Sequence, residues 1–285
     1  MTRKIPRCKR ILPREEFFRL KDIHDDNPWL AYENVLGLYE LWNLTENENQ
    51  KELLEFLIQK FSYVDSDDLR NACKAIADQI ENVWQLSSEN TIITAICDNA
   101  EPDGSQFLVQ ALKNKLSSGN WKKKLFNAIT TAAHTVNGNT NIVIIDDFIG
   151  TGDKVARKIK YIQETLNRRN VVGINLYVCS LATMNFSREK LLPLVKGLFS
   201  YIWLSKGISE LAPEDKREVY TLEMLNMENH LKFAGKQRQK YSFGYGQSET
   251  LFSIDSTNVP NNVFPIFWWK LIEPGVEREP ILRRL

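Results

Sequence analysis

The chain has 285 residues, of which 43% are hydrophobic and 26% are charged, with 13 Gly, 10 Pro and 4 Cys. This composition excludes collagen-like, mucin-like and disulfide-scaffold proteins, and it predicts a globular protein with a sizeable core. The 37 basic and 36 acidic residues leave a net charge of +1, so any site for a polyanion must be local.

The cysteines and the N-terminal segment indicate a cytoplasmic protein. Cys8, Cys73, Cys97 and Cys179 form no closely spaced pair, which is typical of reduced thiols rather than of a metal site. The charged, proline-containing segment at residues 11–18 replaces the apolar run that a signal peptide needs. No stretch approaches the roughly 18 to 20 apolar residues of a membrane-spanning helix, so we expect no membrane segment.

Residues 14–86 carry apolar side chains at helical spacing, which predicts three or four helices. Two of these helices are preceded by short polar side chains that can act as N-caps, in Thr45-Glu46-Asn47 and in Ser66-Asp67-Asp68. We therefore assign residues 1–87 to a helical N-terminal extension.

The pattern changes after residue 87, where short β-branched runs begin to alternate with helical segments. The predicted strands are residues 91–97, 142–145, 171–181 and 201–204, and residues 187–195 are predicted to be helical. This alternation predicts an α/β fold with a mostly parallel sheet flanked by helices. We place this domain at residues 88–250 and treat residues 251–285 as a C-terminal hood or closing segment.

The strongest functional signal is the segment 141–154, in which an apolar strand ends in two carboxylates followed by a small-residue loop and a helix. Asp146 and Asp147 would stand at the carboxyl end of a parallel strand, where open α/β sheets bind ligands. Gly150-Thr151-Gly152 lets the backbone approach a ligand closely, and the following helix start offers free N–H groups to a phosphate. Carboxylates for hydroxyls beside donors for phosphate indicate a sugar phosphate.

Three other interpretations share parts of this pattern. A Walker-type ATPase needs a GxxxxGK[ST] loop, which the chain lacks. A dinucleotide-binding fold needs GxGxxG, and here the third glycine is missing. An ordinary strand end followed by an ordinary helix cap also explains these residues, and the sequence leaves that interpretation open.

The segment 142–152 resembles the phosphoribosyl-pyrophosphate-binding motif of type I phosphoribosyltransferases. The resemblance implies that Asp146 and Asp147 hold the ribose hydroxyls and act as the catalytic residues. It also implies that the ligand is contacted by Ile149, Gly150, Thr151, Gly152, Asp153 and Lys154 around the 5′-phosphate, and by Asp98, Asp103, Gly104 and Ser105 in the pyrophosphate loop.

Residues 102–105, 146–152 and 259–269 look most like the phosphoribosyltransferase-like domain of bacterial conflict systems, including anti-phage operons and retron-associated sets. This narrower resemblance implies a defence effector with operon-encoded partners, such as an ATPase or a reverse transcriptase with its nucleic acid. It leaves open whether the chain forms a homo-oligomer. In the C-terminal segment, Asn261 and Asn262 are the polar, turn-forming candidates for ligand contact.

The resemblance implies Mg²⁺ as cofactor, held by the pyrophosphate of the ligand rather than directly by the protein. Asp98 and Asp103 would face the metal or its waters, and Lys154 or a lysine of 122–124 would approach the pyrophosphate. Base-salvage enzymes often carry an Asp where this chain has Gly150, so the general acid must come from elsewhere or the reaction differs.

Two alternatives of other classes therefore stay open. One is a catalytically inactive nucleotide sensor that acts through protein–protein contacts. The other is a nucleic-acid-binding defence component, which would use Lys122–Lys124 beside Trp121 and the basic segment 232–240 beside Tyr241 and Phe243.

Overall fold

The computed structural model describes residues 3–4, 12–98, 103–117 and 120–284. Cys8 and residues 99–102 of the predicted pyrophosphate loop lie outside these ranges. The chain divides into two compact units, one formed by Ser66–Leu204 and the other by Met1–Asp65 together with Ser205–Leu285. The three segments drawn from the sequence have other boundaries and stay a prediction.

The first part of the two-segment unit is mainly helical, as the apolar spacing predicts. Asn47 caps α3 by accepting a hydrogen bond from the N–H of Gln50 at 3.0 Å. The elements are β1 (Arg3–Lys4), α1 (Arg14–Asp26), α2 (Val35–Trp42), α3 (Glu48–Gln59) and β2 (Ser62–Val64).

The continuous unit, residues 66–204, alternates helices and strands. Its elements are α4 (Ser66–Asp78), β3 (Thr91–Ala95), α5 (Gly104–Leu112), β4 (Leu125–Phe126), α6 (Ile129–Thr135), β5 (Asn141–Ile149), α7 (Asp153–Arg168), β6 (Asn175–Met184), α8 (Arg188–Leu191) and β7 (Gly197–Leu204). The predicted helix at 187–195 is thus a four-residue helix between two short 3-10 turns.

One five-stranded sheet organises this unit, in the order β4-β3-β5-β6-β7, and every neighbouring pair is parallel. The mostly parallel α/β fold with a helical N-terminal region is therefore confirmed. Ile142 and Ile144 of the central strand β5 pack against apolar side chains of α6 and α7. Because all strands run the same way, their carboxyl ends meet at one edge, where the candidate site is built.

The second part of the two-segment unit contains α9 (Glu214–Asn229), α10 (Gln237–Tyr241), β8 (Phe252–Ile254), β9 (Leu271–Glu273) and β10 (Val276–Glu277). Strand β8 pairs in parallel with β2, and β10 pairs with β1 and β9. Phe264, Ile266 and Phe267 are at most 1% exposed and belong to the core of this unit. Among the described helices, none has both the length and the apolar character needed to cross a bilayer.

Candidate functional site

Two acidic residues stand side by side on the central strand of the sheet. Asp146 is 1% exposed and Asp147 is partly exposed. Adjacent residues of a regular strand point to opposite faces, yet oxygens of Asp146, Asp147 and Asp103 all lie within 4.8 Å of one another. Asp146 pairs with Ser180 of β6 and Phe148 pairs with Ala182, in the same register that begins at Asn141 and Asn175. The two carboxylates converge although this register is unbroken.

Lys154, in the first turn of α7, is the counter-ion of this acidic cluster. Its Nζ lies 3.1 Å from Asp103 Oδ2 and 3.4 Å from Asp146 Oδ1. Burial alone would lower the pKa of Lys154, but the three neighbouring carboxylates raise it above the ordinary value. The lysine therefore stays charged, and the cluster has three carboxylates for one ammonium group.

The three carboxyl groups respond differently to this environment. Burial raises the pKa of Asp146 well above its usual range, and Asp147 and Asp103 add to the rise against the opposing effect of Lys154. Burial also raises the pKa of Asp147, and the negative charge of Asp103 raises it further. Asp103 is desolvated too, but Lys154 and the hydrogen bonds from Ser105 hold its pKa below the ordinary value. Within one cluster, the pKa is thus raised for Asp146 and Asp147 and lowered for Asp103.

Asp146 has one buried oxygen, Oδ2, that accepts no hydrogen bond from the described residues. A buried carboxylate oxygen without a donor is costly, and a hydroxyl or a cation would satisfy it. One carboxylate oxygen from each of Asp103, Asp146 and Asp147 makes an all-oxygen donor set of the kind that Mg²⁺ or Ca²⁺ prefers. The residues therefore fit a divalent cation, provided that Lys154 gives up its place between Asp103 and Asp146.

The start of α5 lies directly against the carboxylate of Asp147. Asp103 caps the helix by accepting from the N–H of Ser105 at 2.9 Å, and Gln106 completes a capping box. A Cβ on Gly104 would lie only 2.1 Å from Asp147 Oδ2. Glycine at this position is what allows the Asp147 carboxylate to lie against the backbone of the helix start.

The loop between β5 and α7 leaves its backbone donors free. No hydrogen bond within the described part of the chain uses the N–H groups of Thr151, Gly152 or Lys154. Gly152 precedes the helix with φ at 76°, a left-handed conformation that favours glycine, and it supplies no side-chain cap. These free N–H groups stand at the positive end of a 16-residue helix, where they could donate to an anion. The contact of this loop with a phosphate stays a prediction.

Lys190 on α8 contacts this loop, and the sequence analysis missed it. Its Nζ lies 3.0 Å from the carbonyl oxygen of Thr151 and 2.8 Å from Asp153 Oδ1. The hydrogen bond from Lys190 lowers the pKa of Asp153, and the hydrogen bond from Thr151 lowers it further. Lys190 lies 36 residues beyond Lys154 in the sequence, and no local pattern around it signals a role.

The other residues predicted for the pyrophosphate loop, Asp98 and Ser105, lie in different surroundings. Asp98 lies outside the acidic cluster and pairs with Lys158 of α7. Ser105 is fully buried at the start of α5. The neighbouring Cys97 is also buried, and its Sγ lies 3.1 Å from the carbonyl oxygen of Asn127. Of the two acidic residues assigned to the metal, the structure thus brings Asp103 to the cluster, and Asp98 binds a lysine.

Asn261 and Asn262 belong to the two-segment unit, where their polar groups serve the local loop. Asn262 is 8% exposed, and its side-chain amide donates to the Tyr245 carbonyl at 3.0 Å and to Ser248 Oγ at 2.8 Å. The backbone carbonyl of Asn261 accepts from the N–H of Tyr245. Their contact with a ligand stays a prediction.

Two aromatic rings assigned to nucleic-acid stacking are not at the surface. Trp121 is 4% exposed, and its indole N–H donates to Glu81 at 2.7 Å. Phe243 is 9% exposed and belongs to the core of its unit. A buried ring cannot stack on a base, so these two positions argue against that use of the basic segments.

Comparison with known proteins was made by sequence and by structure. The model of the family described as PRTase-CE matches residues 41–284. A search of curated protein sequences found no match.

Several solved structures share part of the fold at low similarity. A hypoxanthine-guanine-xanthine phosphoribosyltransferase is 13% identical with a TM-score of 0.36, covering 51% of this chain and 80% of its own. Orotate phosphoribosyltransferase from Aeropyrum pernix is 15% identical with a TM-score of 0.32, covering 47% and 69%. A hypothetical protein from Neisseria gonorrhoeae with bound ppGpp is 11% identical with a TM-score of 0.36, covering 57% and 97%.

Proposed function

The chain belongs to the PRTase-CE family, and from this premise we propose that it binds phosphoribosyl pyrophosphate or a related nucleotide together with Mg²⁺. The proposal rests on the presence of backbone donors and of two carboxylates at the carboxyl end of the same strand, β5. The free backbone N–H groups of Thr151, Gly152 and Lys154 follow directly after the strand that carries the carboxylates of Asp146 and Asp147. The first feature suits a phosphate and the second suits sugar hydroxyls.

The charges of the site support a ligand that carries its own cation. Three carboxylates face one ammonium group, so a bare pyrophosphate would be repelled by the cluster. Mg²⁺ bound to the pyrophosphate would offset part of its negative charge and would stabilise the charge that develops on the leaving group. Lys154 is bound to two of these carboxylates and is released toward the pyrophosphate when the sugar and the cation replace it.

Within this arrangement the residues of the chain have distinct tasks. The buried Asp146 Oδ2, which lacks a donor, accepts a hydrogen bond from a ribose hydroxyl. Asp147, held against the helix start by Gly104, accepts from the neighbouring hydroxyl. The loop 151–154 binds the 5′-phosphate, and the substrate is thereby fixed at both ends of the pentose before the anomeric bond breaks.

Whether turnover follows binding depends on a proton donor. Gly150 has no side chain, so residue 150 supplies no general acid or base. This glycine favours a second candidate function, a nucleotide sensor that binds the same ligand without transferring the phosphoribosyl group. The two functions share the site and differ only in product formation.

Calorimetric titration with phosphoribosyl pyrophosphate, with and without Mg²⁺, tests the proposal together with an assay for released pyrophosphate. The wild-type protein is expected to bind in the presence of Mg²⁺, and the double substitution Asp146→Asn, Asp147→Asn to lose at least about tenfold in affinity, or about 1.4 kcal/mol. Asp78→Asn is the matched control, because Asp78 is an exposed residue of α4 whose Oδ1 accepts from Asn82 Nδ2.

Release of pyrophosphate by the wild type and not by the double variant would establish the transferase. Binding without release would establish the sensor. Failure of the wild-type protein to bind phosphoribosyl pyrophosphate or a nucleoside monophosphate at millimolar concentration would refute the proposed ligand class.

We also propose that the protein is an effector of a bacterial anti-phage operon, acting in the cytoplasm with operon-encoded partners. The support for this role is the resemblance of residues 102–105, 146–152 and 259–269 to conflict-system domains. Phage plating efficiency on cells carrying the operon tests it, with wild type compared with the Asp146→Asn, Asp147→Asn variant. Equal plating on both strains would refute a defence role for this site.

A further inference from the structure

We propose that Lys190 is a positioning residue that holds the anion-binding loop 151–154 in its binding conformation. The inference rests on the proposed function, since it concerns how that loop receives a phosphate. Lys190 lies outside the segment 142–152, and its side chain on α8 contacts Thr151 and Asp153 of the loop.

Lys190 joins the two ends of the loop. Its Nζ donates to the carbonyl oxygen of Thr151 at 3.0 Å and to Asp153 Oδ1 at 2.8 Å. The other oxygen of Asp153 accepts from Thr151 Oγ1 at 2.8 Å. The lysine, the threonine and the aspartate therefore form a closed ring of contacts around Gly152.

The first consequence concerns the direction of a backbone donor. The Thr151–Gly152 peptide is trans, so its carbonyl and its N–H lie in one plane and point in opposite directions. Because Lys190 holds the carbonyl on one side, the Gly152 N–H is fixed on the other side, where it has no partner among the described residues. A cation on the carbonyl also polarises the peptide and strengthens the N–H as a donor.

The second consequence concerns charge. Asp153 is the first residue of α7, next to the N–H groups that would receive the phosphate. An unpaired carboxylate there would repel the incoming anion. Lys190 neutralises it at 2.8 Å, so the helix start keeps its attraction for a negative group.

Packing keeps α8 in place for this task. A Cβ on Gly152 would lie 3.4 Å from side-chain atoms of Leu191 and Ser187, so the segment carrying Lys190 lies directly against the loop. Ser187 Oγ donates to the carbonyl of Met184 at 2.8 Å, which fixes the turn that leaves β6. Thr183 of β6 pairs with Ile149 of β5, so the segments that follow these two strands begin side by side at the same edge of the sheet.

The test uses the full-length protein and ribose 5-phosphate as the probe, followed by calorimetry and by the ¹⁵N amide shift of Gly152. The variants are Lys190→Met, which removes the charge, and Lys190→Arg, which keeps it. Lys160→Met is the control, because Lys160 is an exposed lysine on α7, the helix that follows the loop, and its Nζ lies 3.9 Å from Glu164 Oε1. Lys190 is half exposed, so the melting temperature of each variant is expected within about 2 °C of wild type.

We expect Lys190→Met to bind ribose 5-phosphate about tenfold more weakly than wild type, with a reduced Gly152 amide shift, and Lys190→Arg to restore most of the loss. Wild-type affinity in Lys190→Met would overturn the inference and leave the proposed function intact. Loss in Lys190→Met without recovery in Lys190→Arg, or equal loss in Lys160→Met, would also overturn it. Absence of binding and of any Gly152 shift in the wild type would instead refute the proposed function.

Discussion

Replacing Gly104 by alanine tests whether the start of α5 and the Asp147 carboxylate are matched to each other. A Cβ at residue 104 would lie 2.1 Å from Asp147 Oδ2 and 2.6 Å from its Cγ. Since Cβ atoms essentially never come closer than 3.0 Å, the carboxylate must move by at least 0.9 Å from its present position. The substitution therefore displaces the group that we assign to a ribose hydroxyl while adding only one methyl group.

The expected size of the effect follows from this displacement. A misplacement of about 1 Å in a positioned group costs up to about a hundredfold, so we expect a loss of about 10- to 100-fold in affinity for phosphoribosyl pyrophosphate with Mg²⁺. That loss corresponds to about 1.4 to 2.7 kcal/mol. Stability should change in the other direction or not at all, because alanine is a better helix former than glycine by up to about 1 kcal/mol.

Calorimetric titration and urea unfolding of the same preparations separate these two effects. Gly235→Ala is the matched control, because a Cβ there would meet no atom within 4 Å while φ is +53°. This control is expected to lose about 1 kcal/mol of stability through backbone strain and to keep its affinity. Wild-type affinity in Gly104→Ala would show that the position of the Asp147 carboxylate does not matter for the ligand, and our description of the site would be wrong.

The remaining predictions concern buried charge. Lys154→Met leaves Asp146 and Asp103 without their counter-ion, and because Lys154 is 41% exposed we expect a loss of about 1 to 3 kcal/mol at about pH 8. The loss should shrink at about pH 5, because the native carboxyls then take up protons that offset the missing lysine. Burial raises the pKa of Glu228 from 4.5 to about 7, so its contribution to stability is complete below 4.5 and lost as pH rises through about 7. Glu228→Gln should therefore be more stable than wild type by about 1 to 3 kcal/mol at about pH 8.

Urea unfolding at about pH 5 and about pH 8 measures both effects. The hydrogen bonds that Glu228 accepts from Ser242 Oγ and the N–H of Phe243 can be replaced by a glutamine, since the Ser242 hydroxyl can also act as an acceptor. A Lys154→Met loss that is equal at the two pH values would contradict the assigned role of the lysine. A glutamine variant that follows the wild-type pH profile would show that Glu228 titrates normally.

Several features of this protein follow from local patterns that a sequence shows directly. The apolar runs at 91–97 and 142–145 mark the strands Thr91–Ala95 and Asn141–Ile149. The segment 141–154 places two carboxylates and a Gly-Thr-Gly loop at a strand end followed by a helix. Such patterns are legible because strand and helix periods, glycine conformations and helix starts depend on neighbouring residues only. The parallel α/β fold and the central pair of acidic residues were therefore predictable.

The contacts that make the site depend instead on the order of strands and helices in space. Lys154 reaches Asp103, Gly104 makes room for Asp147, and Lys190 reaches Thr151 because the sheet brings the ends of β3, β5 and β6 together. These partners are separated by 39 to 51 residues along the chain, so no local period connects them. Their meeting is settled by the packing of whole elements, which is why it became visible only in the folded chain.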